Sequence, residues 1–99
     1  GGNSKFLLKA SEQSPIIELT PVQQVLLIKL PEGSPRGHYT VTLNDPFGRS
    51  VRSKNVRSVD GKSVSAYFNL VGLISGRYSI CVTRAPEVPS CLAVTIKAP

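Results

Sequence analysis

Few residues in this 99-residue sequence have side chains suited to acid–base or nucleophilic catalysis. Its one histidine, His38, stands beside Gly37 at the start of a predicted strand, a position typical of a solvated surface residue. The six carboxylates are scattered, so their spacing indicates no catalytic pair, although distant ones could meet in the fold. No G-x-S-x-G elbow, phosphate-binding glycine loop or H-E-x-x-H motif is present. We therefore expect a protein that is not an enzyme and that needs no cofactor.

The two cysteines, Cys81 and Cys91, could bind a metal or form a disulfide. Two cysteines and one histidine cannot close a four-ligand zinc site, so we expect no metal. A hairpin centred near Pro86 would place Cys81 directly opposite Cys91 on the outer face of the sheet, with Cβ atoms about 4.5–5.5 Å apart. We therefore predict a disulfide and an oxidising compartment outside the cytoplasm. The alternative is a cytosolic protein with two reduced cysteines.

Positive charge is unevenly placed along the chain. The net charge of +6 lies in residues 36–99, where nine Lys or Arg stand against three carboxylates. Four of these basic residues fall within nine positions, in or directly after one predicted strand: Arg49, Arg52, Lys54 and Arg57. With Tyr67, on the outer face of another strand, they could bind an acidic glycan or other polyanion. The alternatives are a charged edge strand that resists pairing with other molecules, and a Tyr67 that packs only against its cross-strand neighbours.

Aromatic residues narrow the choice of partner. None is interleaved with the basic run, so we expect no nucleic acid, because single strands stack their bases on aromatic faces. Phe47 lies in a predicted turn, where it could form an exposed binding tip. A turn residue of this kind more often folds back to cap the core, and we expect that for Phe47.

The elements that must position these residues are organised around a corner formed by Leu73, Gly76 and Tyr78. After the L-x-x-G-x-Y pattern, Tyr78, Ile80 and Val82 alternate with polar or small residues, which predicts a strand with one buried face. We expect Leu73 to plug the end of the core and Gly76 to permit a turn that other residues would strain. Tyr78 should bury its ring and turn its hydroxyl back to a loop backbone group.

Period-two alternation predicts strands along most of the chain. They cover residues 5–10, 22–30, 38–43, 49–56, 63–70 and 78–82, and a last strand contains Leu92, Val94 and Ile96; residues 16–19 could add an edge strand. Residues 44–48 and the Asp60-Gly61 pair are turn signals. Seven or eight short strands with regular turns predict an all-β fold, an immunoglobulin-like antiparallel Greek-key sandwich. A small barrel is the alternative.

The length predicts a single domain. Because of Gly1 and Gly2 we expect residues 1–4 to be a tag remnant or linker, and residues 5–99 to form one β-sandwich domain. No apolar run approaches the roughly 18 residues of a membrane span. We therefore expect contact with a membrane only through an anchor outside this sequence.

The order of these patterns resembles bacterial extracytoplasmic immunoglobulin-like and fibronectin type III-like domains. More narrowly, it is similar to the sandwich domains at the periplasmic ends of membrane-anchored anti-sigma-like proteins. The resemblance covers residues 22–97 and rests on Leu26, Ile28, Leu30, Tyr39, Val41, Leu43, Asp45, Gly48, Leu73, Gly76, Tyr78, Ile80 and Val82. It implies an adhesion, spacer or partner-binding role and carries over no catalytic residue. The cysteine pair and the basic strand depart from the pattern.

The sequence thus predicts a non-catalytic protein-interaction or spacer module of a secreted or membrane-anchored bacterial protein, located in the periplasm or at the cell surface. Its expected partner is another protein. One alternative is a carbohydrate- or polyanion-binding module that uses the basic strand. A second alternative is an accessory domain of a larger enzyme.

Overall fold

A computed structural model of the chain describes the backbone of residues 3–7 and the whole of residues 15–30, 35–59, 65–84 and 86–99. These residues contain eight strands and no helix: β1 (Asn3–Leu7), β2 (Ile16–Glu18), β3 (Val25–Lys29), β4 (Gly37–Asn44), β5 (Ser50–Ser58), β6 (Ser65–Asn69), β7 (Gly76–Thr83) and β8 (Ser90–Lys97). In the described part of the chain there is accordingly no helix that could cross a membrane.

The strands form two sheets, which confirms the all-β prediction. One has the order β1-β3-β6, and the other has the order β2-β8-β7-β4-β5. Two pairings, β1 with β3 and β2 with β8, are parallel, so the expectation of a wholly antiparallel fold is wrong. The reason is connectivity: β1 and β2 belong to different sheets, and neither is held by the tight hairpin that makes two neighbouring strands antiparallel.

One hydrophobic core takes side chains from both sheets. Alternate residues of β4, β6 and β8 face this core, as their period-two patterns predict, whereas β3 also buries Leu27 and β7 also buries Cys81 on the opposite face. The fully buried set includes Leu26, Ile28, Val41, Leu43, Phe68, Leu70, Ile80, Val94 and Ile96. Burial of one such side chain contributes about 1.5–3 kcal/mol, so this set holds the two sheets together.

Two buried tyrosines anchor neighbouring strands at opposite ends of the five-stranded sheet. The Tyr78 hydroxyl donates to the carbonyl oxygen of Ile74 at 2.7 Å, as the predicted corner requires. The Tyr39 hydroxyl donates to the carbonyl oxygen of Pro35 at 2.6 Å, with the same four-residue offset. Since β4 and β7 are antiparallel, their starting ends lie at opposite ends of the sheet.

The glycine that the corner needs is Gly72, not Gly76. Gly72 has a φ of 90°, in the region that side chains disfavour, and it lies in the turn closed by the bond from Leu73 N to Leu70 O. Gly76 has no such φ, and a Cβ added there would meet only the Tyr78 ring at an ordinary 3.9 Å. The role predicted for Gly76 is therefore wrong. Leu73 packs against the core as expected.

The N-terminal boundaries also differ from the prediction. The first strand begins at Asn3, so the domain boundary expected at residue 5 falls inside β1. The rest of the predicted strand 5–10, the Asp60-Gly61 turn and Val64 lie outside the described residues.

Candidate functional site

The predicted disulfide between Cys81 and Cys91 is present. The two residues are directly opposed in the β7–β8 register, as are Tyr78 and Val94. Their Cα atoms are 4.1 Å apart, nearer to the about 4.5 Å of a non-hydrogen-bonded pair than to the about 5.5 Å of a hydrogen-bonded one. The disulfide lines a shallow depression of about 550 Å³ on the outer face of the sheet, where Asn44 Nδ2 donates to Cys81 Sγ at 3.5 Å.

The basic strand lies at a sheet edge, as predicted: β5 pairs only with β4 in the described residues. The register shifts after Leu43, so Val51 is an extra residue opposite β4. A bulge of this kind turns the local side chains relative to a regular strand. Val51 and Val56 both pack against the core.

Arg52 is committed to the fold. Its Nε donates to the Asn69 carbonyl at 2.7 Å, and its Nη2 donates to the Val71 carbonyl at 2.9 Å. The third nitrogen, Nη1, donates to the Val51 carbonyl at 2.7 Å. The guanidinium thereby joins the edge of one sheet to the end of the other, and it has few donors left for a partner.

The other predicted binding residues point in different directions. Directly opposed residues of antiparallel strands share a face. Lys54 is opposite buried Val41 and so lies on the core side of the sheet, whereas Arg57 is opposite exposed His38 and lies on the outer side. Arg49 lies in the turn before β5.

Tyr67 lies on the three-stranded sheet, on the face away from the core. It is 50% exposed and directly opposite Leu27, which favours the packing interpretation. Arg49, Arg52, Lys54, Arg57 and Tyr67 therefore do not form one surface.

Four large apolar side chains are instead exposed at one end of the molecule. β2, β4, β6 and β8 all end here, and the loops that follow the first three carry these side chains. The exposed fractions are 88% for Val22, 84% for Phe47, 57% for Val71 and 77% for Ile74. We call these four residues the apolar end. Phe47 does not cap the core, so the expectation that it folds back is wrong.

The carboxylate of Asp45 explains why Phe47 projects. Its Oδ1 accepts bonds from the backbone N–H groups of Phe47 and Arg49, both at 2.9 Å, and its Oδ2 accepts from Arg49 Nε at 3.0 Å. The backbone bond from Arg49 is the main cause that holds the pKa of Asp45 below its ordinary value. The Arg49 guanidinium also lies 5.7 Å from the centre of the Phe47 ring. The turn is thus fixed with its aromatic residue outward.

A cavity opens between this turn and the tyrosine corner. It has a volume of about 230 Å³, and its walls include Phe47, Val51, Leu73, Ile74 and Tyr78. The Tyr78 hydroxyl is already bonded to Ile74, so the ring offers mainly its apolar surface. The cavity is therefore suited to an apolar group rather than to a polar reactant.

The opposite end of the five-stranded sheet carries basic side chains. Arg36, His38 and Arg57 line a cavity of about 360 Å³ together with Ser58 and Val59. We call Arg36, His38 and Arg57 the basic end. Arg84, beside it, donates to the Arg36 carbonyl at 3.1 Å and forms an ion pair with Glu87.

No group of three or more His, Cys, Asp or Glu side chains suited to a metal ion occurs within the described residues. The chain matches no family model, no curated protein and no solved structure. The apolar end, the basic end and the disulfide are therefore the features that bear on function.

The apolar end was only partly recognisable in the sequence. Phe47 stood out because an aromatic side chain interrupts a turn. Val71 and Ile74 carried a similar signal, since each lies beside a turn residue, Gly72 or Ser75, rather than in a strand. The periodicity of the sequence does not predict the strand order, and it is the strand order that brings these loops to the same end of the molecule.

Proposed function

We propose that the chain is an immunoglobulin-like interaction module that binds another protein through its apolar end, outside the cytoplasm of a bacterium. The main support for this proposal is that Phe47 and Ile74 are exposed around a preformed apolar cavity. Isolated exposed apolar residues are normal, but Phe47 and Ile74 line one cavity, and exposed apolar residues grouped in this way favour an interaction site. Val71 and Val22 extend the same end.

The size of the cavity favours a protein partner over a small ligand. Its volume of about 230 Å³ is below the roughly 300–1,000 Å³ of small-molecule sites. A single large apolar side chain from a partner fits this scale, and such anchors carry most of the energy of many interfaces. Arg49 is bonded to Asp45 through Nε, but its side chain is 76% exposed, so its remaining N–H groups are accessible at the rim. The partner we expect is therefore a protein segment with one apolar anchor, and acidic neighbours would complement Arg49.

The disulfide supports the proposed location. Structural disulfides persist in oxidising compartments and are rare in the cytosol. Two packed sheets with a tyrosine corner at the start of β7 also support the immunoglobulin-like assignment, because sandwich folds use that corner. A spacer role in a secreted or membrane-anchored protein uses the same fold without any binding surface.

A displayed random-peptide library tests the binding role. Peptides selected on the native chain should share a large apolar residue and should lose at least about tenfold in affinity for Phe47→Ser or Ile74→Ser. Loss of a buried interface anchor costs about 2 kcal/mol or more, which exceeds tenfold.

The matched control is Val88→Ser. Val88 is 87% exposed but lies in the loop between β7 and β8, at the opposite end. Thermal unfolding verifies that each variant folds, since such surface changes usually stay within about 0.5 kcal/mol. If no peptide is enriched, or if the selected peptides bind Phe47→Ser as tightly as the native chain, the binding proposal fails and the spacer role is favoured.

A further inference from the structure

A second, independent surface lies at the basic end. β4 and β5 place His38 directly opposite Arg57, and His38 and Arg57 are both exposed. Directly opposed side chains on antiparallel strands have Cβ atoms about 4.5–5.5 Å apart, so the imidazole and the guanidinium can reach one ligand together. Arg36, which precedes β4, contributes to the same cavity wall.

The side chains of His38 and Arg57 at this end offer more hydrogen-bond donors than acceptors. Within the described residues, the side chains of Arg57 and His38 take part in no hydrogen bond or ion pair. The nearby carboxylate of Glu87 is already paired with Arg84. A guanidinium offers five N–H donors in a planar fork, and a neutral imidazole offers one more. These donors are complementary to an anion that can accept several hydrogen bonds.

The backbone beneath these side chains is held in place. Arg84 Nη1 donates to the Arg36 carbonyl, and the side chain of Arg84 runs 3.5 Å from the position that a Cβ on Gly37 would take. Gly37 has a φ of 139°, which a side chain would disfavour. The Ser58 hydroxyl also lacks a partner among the described residues, but it is buried away from solvent, so we assign recognition to Arg57 and His38.

We propose that this cavity binds a tetrahedral oxyanion group, a sulfate or phosphate ester, through Arg57 and His38. The planar guanidinium pairs with two oxygens of such a group at once, which favours it over a single point charge. The volume of about 360 Å³ leaves room for the ring that carries the ester. Val59, which is 49% exposed, offers that ring an apolar contact. The site does not depend on the apolar end, so either proposal can fail alone.

Amide chemical-shift titration tests the site on the intact, oxidised chain. The probes are sodium sulfate, sodium phosphate and a sulfated heparin disaccharide, each at constant ionic strength set with sodium chloride. We expect saturable shifts at His38, Arg57, Ser58 and Val59. The disaccharide binding more tightly than phosphate would identify a sulfated sugar as the source of the group, and the reverse order would identify a phosphate ester.

Two variants distinguish specific binding in this cavity from nonspecific attraction of anions to the positive charge of the protein. Arg57→Gln should weaken binding about tenfold or more, because hydrogen bonds to charged groups are worth more than neutral ones. Lys54→Gln removes the same charge from the same strand but on the other face, and should change affinity by less than about twofold. Equal losses in the two variants, shifts spread over all exposed basic residues, or no saturation with any probe would each overturn the proposal.

Discussion

Replacement of Tyr78 tests the physical account of the fold most directly. Its side chain is 4% exposed, its ring belongs to the core, and its hydroxyl is bonded to Ile74 at 2.7 Å. Tyr78→Phe removes only the hydrogen bond and should cost about 0.5–1.5 kcal/mol. Tyr78→Ala also removes the ring and should cost about 3–5 kcal/mol, a large part of the roughly 5–15 kcal/mol stability of a domain.

Urea unfolding of the oxidised chain measures both losses. With an m value of about 1–3 kcal/mol/M, a loss of 3 kcal/mol moves the midpoint by roughly 1–3 M. Tyr67→Phe is the matched control, since the Tyr67 hydroxyl has no partner among the described residues and the side chain is 50% exposed. A loss below about 1 kcal/mol for Tyr78→Ala, or equal losses for the two Tyr→Phe variants, would refute the role of the corner.

Three further predictions concern the turns and the disulfide. Gly72→Ala should destabilise by about 1–2 kcal/mol because of its positive φ, whereas Gly76→Ala should be neutral or stabilising; equal effects in thermal unfolding would contradict the assignment. Reduction of the Cys81–Cys91 bridge, which closes a sequence separation of 10, should cost about 2–3 kcal/mol, and Ellman's reagent should find no reactive thiol beforehand. The pKa of Asp45, followed by NMR, should lie below the ordinary value of about 3.9. Because the pKa is lowered in the folded state, the stabilising contribution of Asp45 is present above the unfolded pKa and is lost as pH falls through the folded pKa. A raised pKa would refute the role of Asp45 in the turn.

Alternation predicted the core because burial of one face imposes a period of two on any strand. Tyr39, Val41, Ala66, Phe68 and the residues like them are buried for that reason. The register of β7 and β8 was also predictable, because one hairpin alignment satisfies both the apolar pairs and the cysteines.

The second tyrosine anchor was present in the sequence but not recognised. Pro35 to Tyr39 and Ile74 to Tyr78 share a G-x-Y ending, and both hydroxyls reach back four residues. Comparison of the two segments with each other would have predicted the pair.

The edge position of the basic strand was predictable, but the arrangement of its side chains was only partly so. Period two alone places Lys54 and Arg57, three residues apart, on opposite sides of the sheet, but a run of charges does not reveal the bulge at Val51. Nor does it show that Arg52 bonds to the carbonyls of Asn69 and Val71, because those partners are distant in sequence. Long-range strand order decides both facts, and no local pattern encodes it.

The parallel pairing of β2 with β8 determines how the protein would bear mechanical load. Tension applied between a point before β2 and a point after β8 pulls these adjacent strands in opposite directions along their length. The bonds that join them, among them Leu19 N to Lys97 O and Thr95 N to Pro15 O, both 2.9 Å, would then be loaded together in shear. An antiparallel hairpin pulled from its two free ends would instead open one bond at a time. If the protein links a membrane anchor to a distant partner, the contacts between β2 and β8 would therefore resist its extension.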